Sequence, residues 1–412
     1  MNKKLIALAV AAALGAPLVA SAQGSGGTGV TLFGRVSAEY GSTEIDQAAA
    51  TEYRQETIGD NTGASRWGLA ITEDLGNGLK ANARIEFAFR TGNGVTETAR
   101  EQWVGLSSKS WGEVQFGRVH SPFKDFAGGG NLDPFNTTNI QARGSGGALY
   151  APGNGFGAGS FVDHGIRYNS PEFGGFSFAV LASPVDATQT DGTTLGGNVG
   201  GRGGSDNYQI GLKYKFGTAG EIFGGYSNDA VSDAQAVGVV NGRVAEDEEV
   251  WRLGAAWNFG NFRIAGQYEN IENALAGTGG TSCGNGATAL GGEGGAGGNT
   301  TGQCNTAFNT NGEGDIWFLT LQYKIGKTTL VLQGGETNAD AQGTSVERES
   351  QNFTIGAIYN FSKRTRVFGG YQNVSIEGAR DAANTINSTQ AQVNGAIQPD
   401  RSTWTIGMRH DF

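Results

Sequence analysis

Residues 65–89, with the sequence SRWGLAITEDLGNGLKANARIEFAF, alternate between apolar and polar positions in the manner of two β-strands. The strands meet at Leu75–Gly78, where Asn77 and Gly78 supply the positive φ angles that a tight hairpin turn needs. The apolar face of this hairpin includes Trp67, Leu69, Ile71, Ala83, Ile85 and Phe87, and the polar face includes Arg66, Thr72, Lys80, Asn82, Arg84 and Glu86. The hairpin alone fits both a soluble β-sandwich and a membrane β-barrel.

The same alternation recurs along the chain and predicts sixteen strands, each of roughly the length that a tilted strand needs to cross a bilayer. The pattern predicts no amphipathic helix of ordinary length. Besides the two strands of the hairpin, the predicted strands cover residues 29–40, 98–107, 113–118, 164–170, 175–183, 206–216, 221–228, 249–258, 261–272, 315–324, 327–337, 349–361, 364–376 and 402–412.

Short connections alternate with longer ones between these strands. A β-propeller or a tandem of sandwiches has no reason to gather its long loops at one end, whereas an outer-membrane barrel has short periplasmic turns and long extracellular loops. The alternation therefore predicts an all-β fold, a sixteen-stranded antiparallel transmembrane β-barrel whose charged inner face surrounds water. The seven short turns are predicted near residues 76–77, 108–109, 173–174, 217–218, 259–260, 325–326 and 362–363.

The first 22 residues have the features of a secretory signal peptide. Lys3 and Lys4 precede an apolar run, and Ala20-Ser21-Ala22 forms an A-x-A cleavage site. We therefore predict a signal peptide at residues 1–22 and a single barrel domain at residues 23–412. No later stretch approaches the ~18 consecutive apolar residues of a spanning helix.

Composition and charge exclude several other classes of protein. Without Lys3 and Lys4, 27 of the 29 basic side chains remain against 39 acidic ones, which argues against nucleic acid as a partner. Glycine is abundant, at 71 of 412 residues, but it has no Gly-X-Y period and proline is scarce, so the chain is not collagen-like. Cys283 and Cys304 lie in one Gly- and Asn-rich stretch, and export to an oxidising compartment predicts a local disulfide between them.

Five stretches, in order along the chain, resemble the general porins of Gram-negative outer membranes, which are trimeric sixteen-stranded diffusion channels. They are VTLFGRV, SRWGLAITEDLGNGLKA, QWVGLSSKSWGEVQFGR, IRYNSPEFGGFSFAV and the terminal WTIGMRHDF. The resemblance implies a homotrimer in the outer-membrane bilayer that lets ions and small hydrophilic solutes diffuse passively, without a cofactor or enzymatic activity. It also implies a C-terminal signal, read by the barrel-insertion machinery, that consists of Trp404, Ile406, Met408, His410 and Phe412.

The resemblance further implies a pore constriction, in which basic side chains of the wall face an acidic third loop folded into the lumen. By motif, the wall residues are Arg35, Arg66, Arg118 and Arg167, and the loop spans residues 120–163 with Asp125 and Asp133 as its carboxylates. Strand phase directs Arg66 and Arg167 inward, whereas Arg118 shares the outward phase of Phe116. Arg118 is therefore expected to face the lumen only if the chain departs there from a regular strand.

Some features of the sequence are also compatible with functions other than a channel. A second interpretation makes the protein an adhesin or receptor that works mainly through its long loops, although the many charged lumen positions favour a channel. A hydrolase site would use His120 with Ser121, or Asp163 with His164, but neighbours in the chain cannot form the line of hydrogen bonds of a catalytic triad. The run at 245–250, AEDEEV, is more typical of a solvated loop than of a metal site, and zinc-like Cys/His spacing is absent.

Overall fold

The computed structural model describes thirteen ranges of the chain, which together contain nineteen strands and one short helix. The described residues are 28–47, 50–60, 64–92, 98–126, 132–142, 161–183, 208–229, 239–240, 243–244, 247–274, 312–340, 347–378 and 400–412. The predicted signal peptide and both cysteines lie outside these residues, and they stay predictions.

The elements follow one another with short turns at one end and longer connections at the other. The helix α1 is a single turn, and among the described residues no helix is long and apolar enough to span a membrane. In chain order the elements are β1 (Gly29–Gln47), β2 (Ala50–Gly59), β3 (Arg66–Gly76), β4 (Leu79–Ala88), β5 (Thr98–Ser108), β6 (Gly112–His120), α1 (Pro122–Asp125), β7 (Phe161–Asn169), β8 (Phe176–Ala182), β9 (Tyr208–Lys215), β10 (Gly220–Asp229), β11 (Val239–Val240), β12 (Arg243–Val244), β13 (Glu248–Phe259), β14 (Phe262–Ala274), β15 (Gly312–Ile325), β16 (Thr328–Asp340), β17 (Glu347–Asn360), β18 (Thr365–Gly378) and β19 (Asp400–Asp411).

Seventeen of these strands form one antiparallel sheet that closes into a barrel, and β11 and β12 form a separate small hairpin. The closing seam joins β1 to β19 over twelve residue pairs, from Arg35–Asp411 to Asp46–Asp400. On its other side β1 pairs with β3 along its first part and with β2 along its last part, so β2 and β3 together make one crossing of the wall. The barrel therefore has sixteen crossings, which confirms the predicted fold class.

The seven short turns coincide with the seven predicted ones. In the first, Asn77 and Gly78 have φ angles of 52° and 77°, as the hairpin motif predicts. All the longer connections lie at the opposite end of the barrel.

The first of the longer connections differs from the prediction. The predicted strand ends at residue 40, but β1 continues to Gln47 and β2 returns beside it. Arg54 lies opposite Glu44 and donates to the Ser42 hydroxyl at 2.8 Å. This extension was missed because its residues are polar on both faces, and a backbone ladder needs no apolar alternation.

Apolar and aromatic side chains cover the outer face of the barrel, as a lipid-facing surface requires. The aromatic rings form two rows, one near each end of the strands, and rings within a row touch, as Phe262 touches Tyr323 at 4.3 Å and Tyr371 touches Trp404 at 4.7 Å between ring centres. The row at the short-turn end contains Tyr214, Phe216, Trp257, Phe259, Phe262, Tyr323, Tyr359 and Phe361, and the other contains Tyr208, Tyr226, Trp251, Tyr268, Tyr371 and Trp404. These rows are the interfacial girdles expected of an outer-membrane barrel.

Candidate functional site

The connection after β6 folds into the barrel, as predicted for the third loop. Two of its pieces are described, residues 121–126 with α1 and residues 132–142. Both bury apolar side chains against inward-facing residues of the wall. The buried loop residues are Phe123, Leu132, Phe135, Ile140 and Ala142.

The wall under this loop carries buried apolar residues on β10 and β13–β18, beside buried polar ones such as Gln333 and Gln372, and we call the apolar residues the loop seat. Glycines in the seat admit the loop closely: a Cβ on Gly356 would lie 2.6 Å from the Phe135 ring, and one on Gly370 would lie 2.8 Å from Ile140. A larger residue at either position would push the loop away from the wall. The apolar residues of the seat are Phe223, Val250, Ala256, Ala265, Ile271, Ile316, Phe318, Val331, Ile358 and Phe368.

A buried ion pair fastens the first piece of the loop. Arg252 on β13 pairs with Glu269 on β14 at 2.6 Å, and both side chains are almost completely buried. The guanidinium also lies 3.9 Å from the centre of the Phe123 ring and donates to the Phe123 carbonyl. On the neighbouring wall, the Ser121 hydroxyl donates to the side-chain carbonyl of Gln209. The carbonyl of Phe123 thus accepts a hydrogen bond from Arg252, and without such partners the buried ion pair would be costly.

Hydrogen bonds to carboxylates hold the second piece of the loop. Asp133 is buried, and its two oxygens accept from the backbone N–H groups of Phe135 at 2.8 Å and Ala142 at 2.6 Å. Glu39 on β1 accepts from the Asn139 N–H at 3.0 and 3.1 Å. Asp133 therefore closes the loop upon itself, whereas the sequence assigned it to the acidic side of the constriction.

Eight adjacent crossings of the wall each place one arginine on the inner face, and we call this set the arginine belt. Neighbours in the belt lie in or near register: Arg366 is opposite Arg409, and Arg35 is opposite Arg66. In order around the barrel the belt consists of Arg366 on β18, Arg409 on β19, Arg35 on β1, Arg66 on β3, Arg84 on β4, Arg100 on β5, Arg118 on β6 and Arg167 on β7.

Carboxylates pair with most of the belt. Glu86 on β4 contacts three arginines, Arg66 at 3.6 Å, Arg84 at 2.8 Å and Arg100 at 2.5 Å. The remaining pairs are Arg84–Glu101 at 2.6 Å, Arg118–Asp163 at 2.5 Å, Arg167–Asp125 at 2.9 Å, Arg35–Asp411 at 2.8 Å and Arg409–Asp411 at 3.0 Å. Within the described residues, seven of the eight arginines thus share five carboxylates, and Arg366 is not in an ion pair.

A bulge brings Arg118 into the belt. The register between β6 and β7 shifts between Gly117 and Val119, and Gly117 has a φ of 131°, which a residue with a side chain rarely adopts. Arg118 then donates to the Arg100 carbonyl at 2.9 Å and pairs with Asp163. A regular strand would direct Arg118 outward, so this bulge is what turns its side chain into the lumen.

The loop meets the belt at Asp125, the last residue of α1. Its carboxylate accepts from Arg167 at 2.9 Å and lies 3.5 Å from Nδ1 of His120, which stacks on Phe161. Burial alone would raise the pKa of Asp125, but Arg167 and His120 lower it to about 2. Asp125 is therefore the loop carboxylate that faces the wall arginines.

Four of the eight belt residues were predicted at the constriction from sequence motifs, and Arg84, Arg100, Arg366 and Arg409 were not. The wall carboxylates Glu86 and Glu101 were not assigned to the constriction either. A signal was present, because Arg84 and Glu86 alternate with outward Ile85, but the family motifs did not single them out. Their pairing depends on strands β4 and β5 being neighbours.

The other candidate residues are placed as follows. Trp404, Ile406, Met408, His410 and Phe412 all point outward and are exposed. His164 itself has a left-handed backbone conformation, with a φ of 53°. No group of three or more metal-ligating side chains occurs in the part of the chain that the structure describes.

Comparison with known proteins agrees with this architecture. A family model described as Gram-negative porin matches residues 7–379. The chain belongs to the Gram-negative porin family. This porin is 29% identical to outer membrane porin protein 32 of Delftia acidovorans over the full length of both chains.

Solved porins share the fold. The anion-selective porin from Comamonas acidovorans matches with a TM-score of 0.63 and 21% identity, over 93% of this chain and 100% of that one. OmpT of Vibrio cholerae, in a trimer form, matches with a TM-score of 0.58 and 14% identity, over 94% of this chain and 100% of that one. The protein is thus an outer-membrane porin that forms a channel for passive diffusion, which supports the channel interpretation over the receptor.

Proposed function

We propose that this porin has a mild preference for anions and that the arginine belt sets it. The observation that carries the proposal is the charge of the belt, which has eight arginines but only five paired carboxylates among the described residues. Ions in the lumen pass these side chains at short range. The belt with Asp125 of the loop is the proposed constriction, and Asp133 is left out of it because both of its oxygens are bonded within the loop.

Two electric fields compete in this channel. The whole chain has a net charge of −10, whereas the belt has an excess of arginine. At physiological salt the field of an exposed charge decays over about 8 Å, so distant acidic residues act weakly on an ion inside the lumen. The belt then dominates, and the preference shifts toward cations at low salt, where the field of the acidic residues extends farther.

The reversal potential in a KCl gradient across a planar bilayer tests this proposal. We expect a sign that indicates anion preference at about 0.15 M salt, and a move toward cation preference as the salt is diluted. A clear cation preference at physiological salt would contradict the role given to the belt. One solved relative by fold is described as anion-selective, which agrees with the expected sign.

We further propose that the porin works as a homotrimer. The support is the trimer form recorded for the similar barrel of Vibrio cholerae OmpT. Unheated samples in mild detergent should run as a high-mass band on a gel. They should shift to the monomer band only after boiling, and the full 412-residue chain has a mass of 42.7 kDa. A monomer band without heating would contradict this assembly.

A further inference from the structure

Three arginines of the belt meet at the seam where the barrel closes. Arg366 on β18 lies directly opposite Arg409 on β19, and Arg35 on β1 lies opposite Asp411 on β19. All three side chains point inward, because the residues that alternate with them are exposed on the outer face, among them Val36 and Met408. The seam thus gathers three guanidinium groups that are up to 374 positions apart in the chain.

One carboxylate serves two of these arginines. Asp411 accepts from Nε of Arg35 at 2.8 Å, and from Nε and Nη2 of Arg409 at 3.1 and 3.0 Å. Arg35 and Arg409 are mostly buried, with 18% and 13% of their side chains exposed, and Asp411 retains 36%. The seam therefore has three side-chain cations to one side-chain carboxylate.

Arg366 has no ion pair or side-chain hydrogen bond with any described residue. Its Nε is buried without an acceptor, although buried donors are nearly always paired. Arg366 lies directly opposite Arg409, so the two cations repel each other, and Asp411 attracts Arg366 without forming an ion pair with it. A guanidinium cannot relieve this repulsion by losing its proton at neutral pH. The arrangement is therefore favourable when an anion supplies the missing acceptor and charge.

We propose that Arg35, Arg366 and Arg409 form a binding site for a small tetrahedral oxyanion of the phosphate type. Guanidinium groups present planar forks of N–H donors that match the oxygens of such an anion, and a doubly charged anion would balance the excess of two cations. The inference deepens the proposed anion preference and rests on it, since the anion must reach the seam through the lumen.

The site lies at the short-turn end of the barrel. Arg366 is the second residue of β18 after the turn at 361–364, and Asp411 is the last residue of β19. In a porin this is the periplasmic end. Oxyanions held there would occupy the lumen wall beside Arg66, which lies opposite Arg35, and would reduce the current carried by chloride.

The binding test uses the folded full-length porin in detergent, with inorganic phosphate as the probe. Broadening of the phosphate ³¹P resonance is titrated at constant ionic strength, because screening would otherwise change with phosphate concentration. Arg366→Gln is compared with the matched control Arg364→Gln, which removes the same charge two residues away in the exposed turn. Asp411→Asn removes the competing carboxylate.

We expect saturable broadening. Arg366→Gln should lower the affinity for phosphate about ten- to hundredfold, which is the effect of losing a hydrogen bond to a charged group. Arg364→Gln should change the affinity for phosphate by less than about twofold, and Asp411→Asn should raise that affinity. Absence of saturable binding, or equal losses in the two arginine variants, would overturn the site. If Arg366→Gln fails to give a folded barrel, a failure of Asp411→Asn to strengthen binding would overturn it instead.

The binding measurement needs no current, so it separates the site from the anion preference. Phosphate binding with a cation-preferring reversal potential would refute the proposed selectivity and keep the site. An anion-preferring channel that binds no phosphate would refute the site and keep the selectivity.

Discussion

The two sides of the lumen wall are built on opposite principles. The loop seat, on β10 and β13–β18, is apolar and is covered by the inward loop. The arginine belt, on β18, β19, β1 and β3–β7, is charged and is only partly balanced by carboxylates. Apolar and polar residues alternate along the strands of both sides. The loop seat nevertheless resembles the core of a soluble protein, whereas the arginine belt resembles a charged surface in contact with water and ions.

This difference shows that the inner face of a barrel is polar only where water meets it. Where the loop excludes water, buried apolar area stabilises the contact, at roughly 25 cal/mol per Å². Where water remains, charges keep part of their hydration and also act on passing ions. We therefore expect the loop seat to set how far the loop projects into the lumen, and the belt to set which ions pass it.

The largest expected effect comes from the loop seat. Phe135 is fully buried between Ile140, Ile358 and Phe368. Phe135→Ala should weaken the attachment of the loop by about 3–5 kcal/mol, the usual cost of emptying such a site. Because the strand ladder is untouched, we expect a folded barrel with larger and noisier single-channel currents in planar bilayers.

Ile355→Ala is the matched control for the loop attachment. Ile355 lies on β17 beside the seat but points outward and is 51% exposed, so its loss should leave the currents unchanged. Currents of Phe135→Ala that equal those of the unaltered porin would mean that the loop is held by its hydrogen bonds alone.

The second effect concerns the belt. Arg66→Gln combined with Arg167→Gln should shift the reversal potential clearly toward cations and leave assembly intact, since Glu86 keeps Arg84 and Arg100 as partners. A unit charge about 4 Å from an ion contributes about 1 kcal/mol in water, or about fivefold in local ion concentration. The measurement is the zero-current potential in a KCl gradient.

A charge-matched double variant provides the comparison. Lys363→Gln with Arg364→Gln removes two cations from the exposed turn between β17 and β18. This variant should shift the reversal potential much less than Arg66→Gln combined with Arg167→Gln. Equal shifts in the two double variants would show that net charge matters and that the position of the belt does not.

The smallest effect joins the two sides through Asp125. A carboxyl whose folded-state pKa is lowered to about 2 stays ionised well below its ordinary range, and its stabilising contact is lost only as the pH falls through that value. Asp125→Asn should therefore shift the potential toward anions by the same amount at pH 7 and at pH 4. If the difference between the variant and the unaltered porin disappears by pH 4, Asp125 is protonated there and the Arg167 contact does not control it.

Most of the fold follows from local features of the sequence. Side chains on a strand alternate between the two faces, so a run of apolar and polar residues predicts both the strand and its outward side. Turn residues such as Asn77 and Gly78 adopt positive φ angles at low cost, so the short turns were predicted at the right places. The extension of β1 to Gln47 was missed because its residues lack this alternation.

The sequence by itself determined which side of a regular strand points inward, but only the tertiary structure decided what those side chains meet there. Arg35, Arg366 and Arg409 come together because the barrel closes between β19 and β1, and closure is a property of the whole sheet. Arg118 turns inward at a bulge that no alternation predicts. Inward-facing Ile358 and Phe368 are covered by the loop, whereas inward-facing Arg66 pairs with Glu86 of the next strand, because burial depends on packing between segments that are distant in the chain.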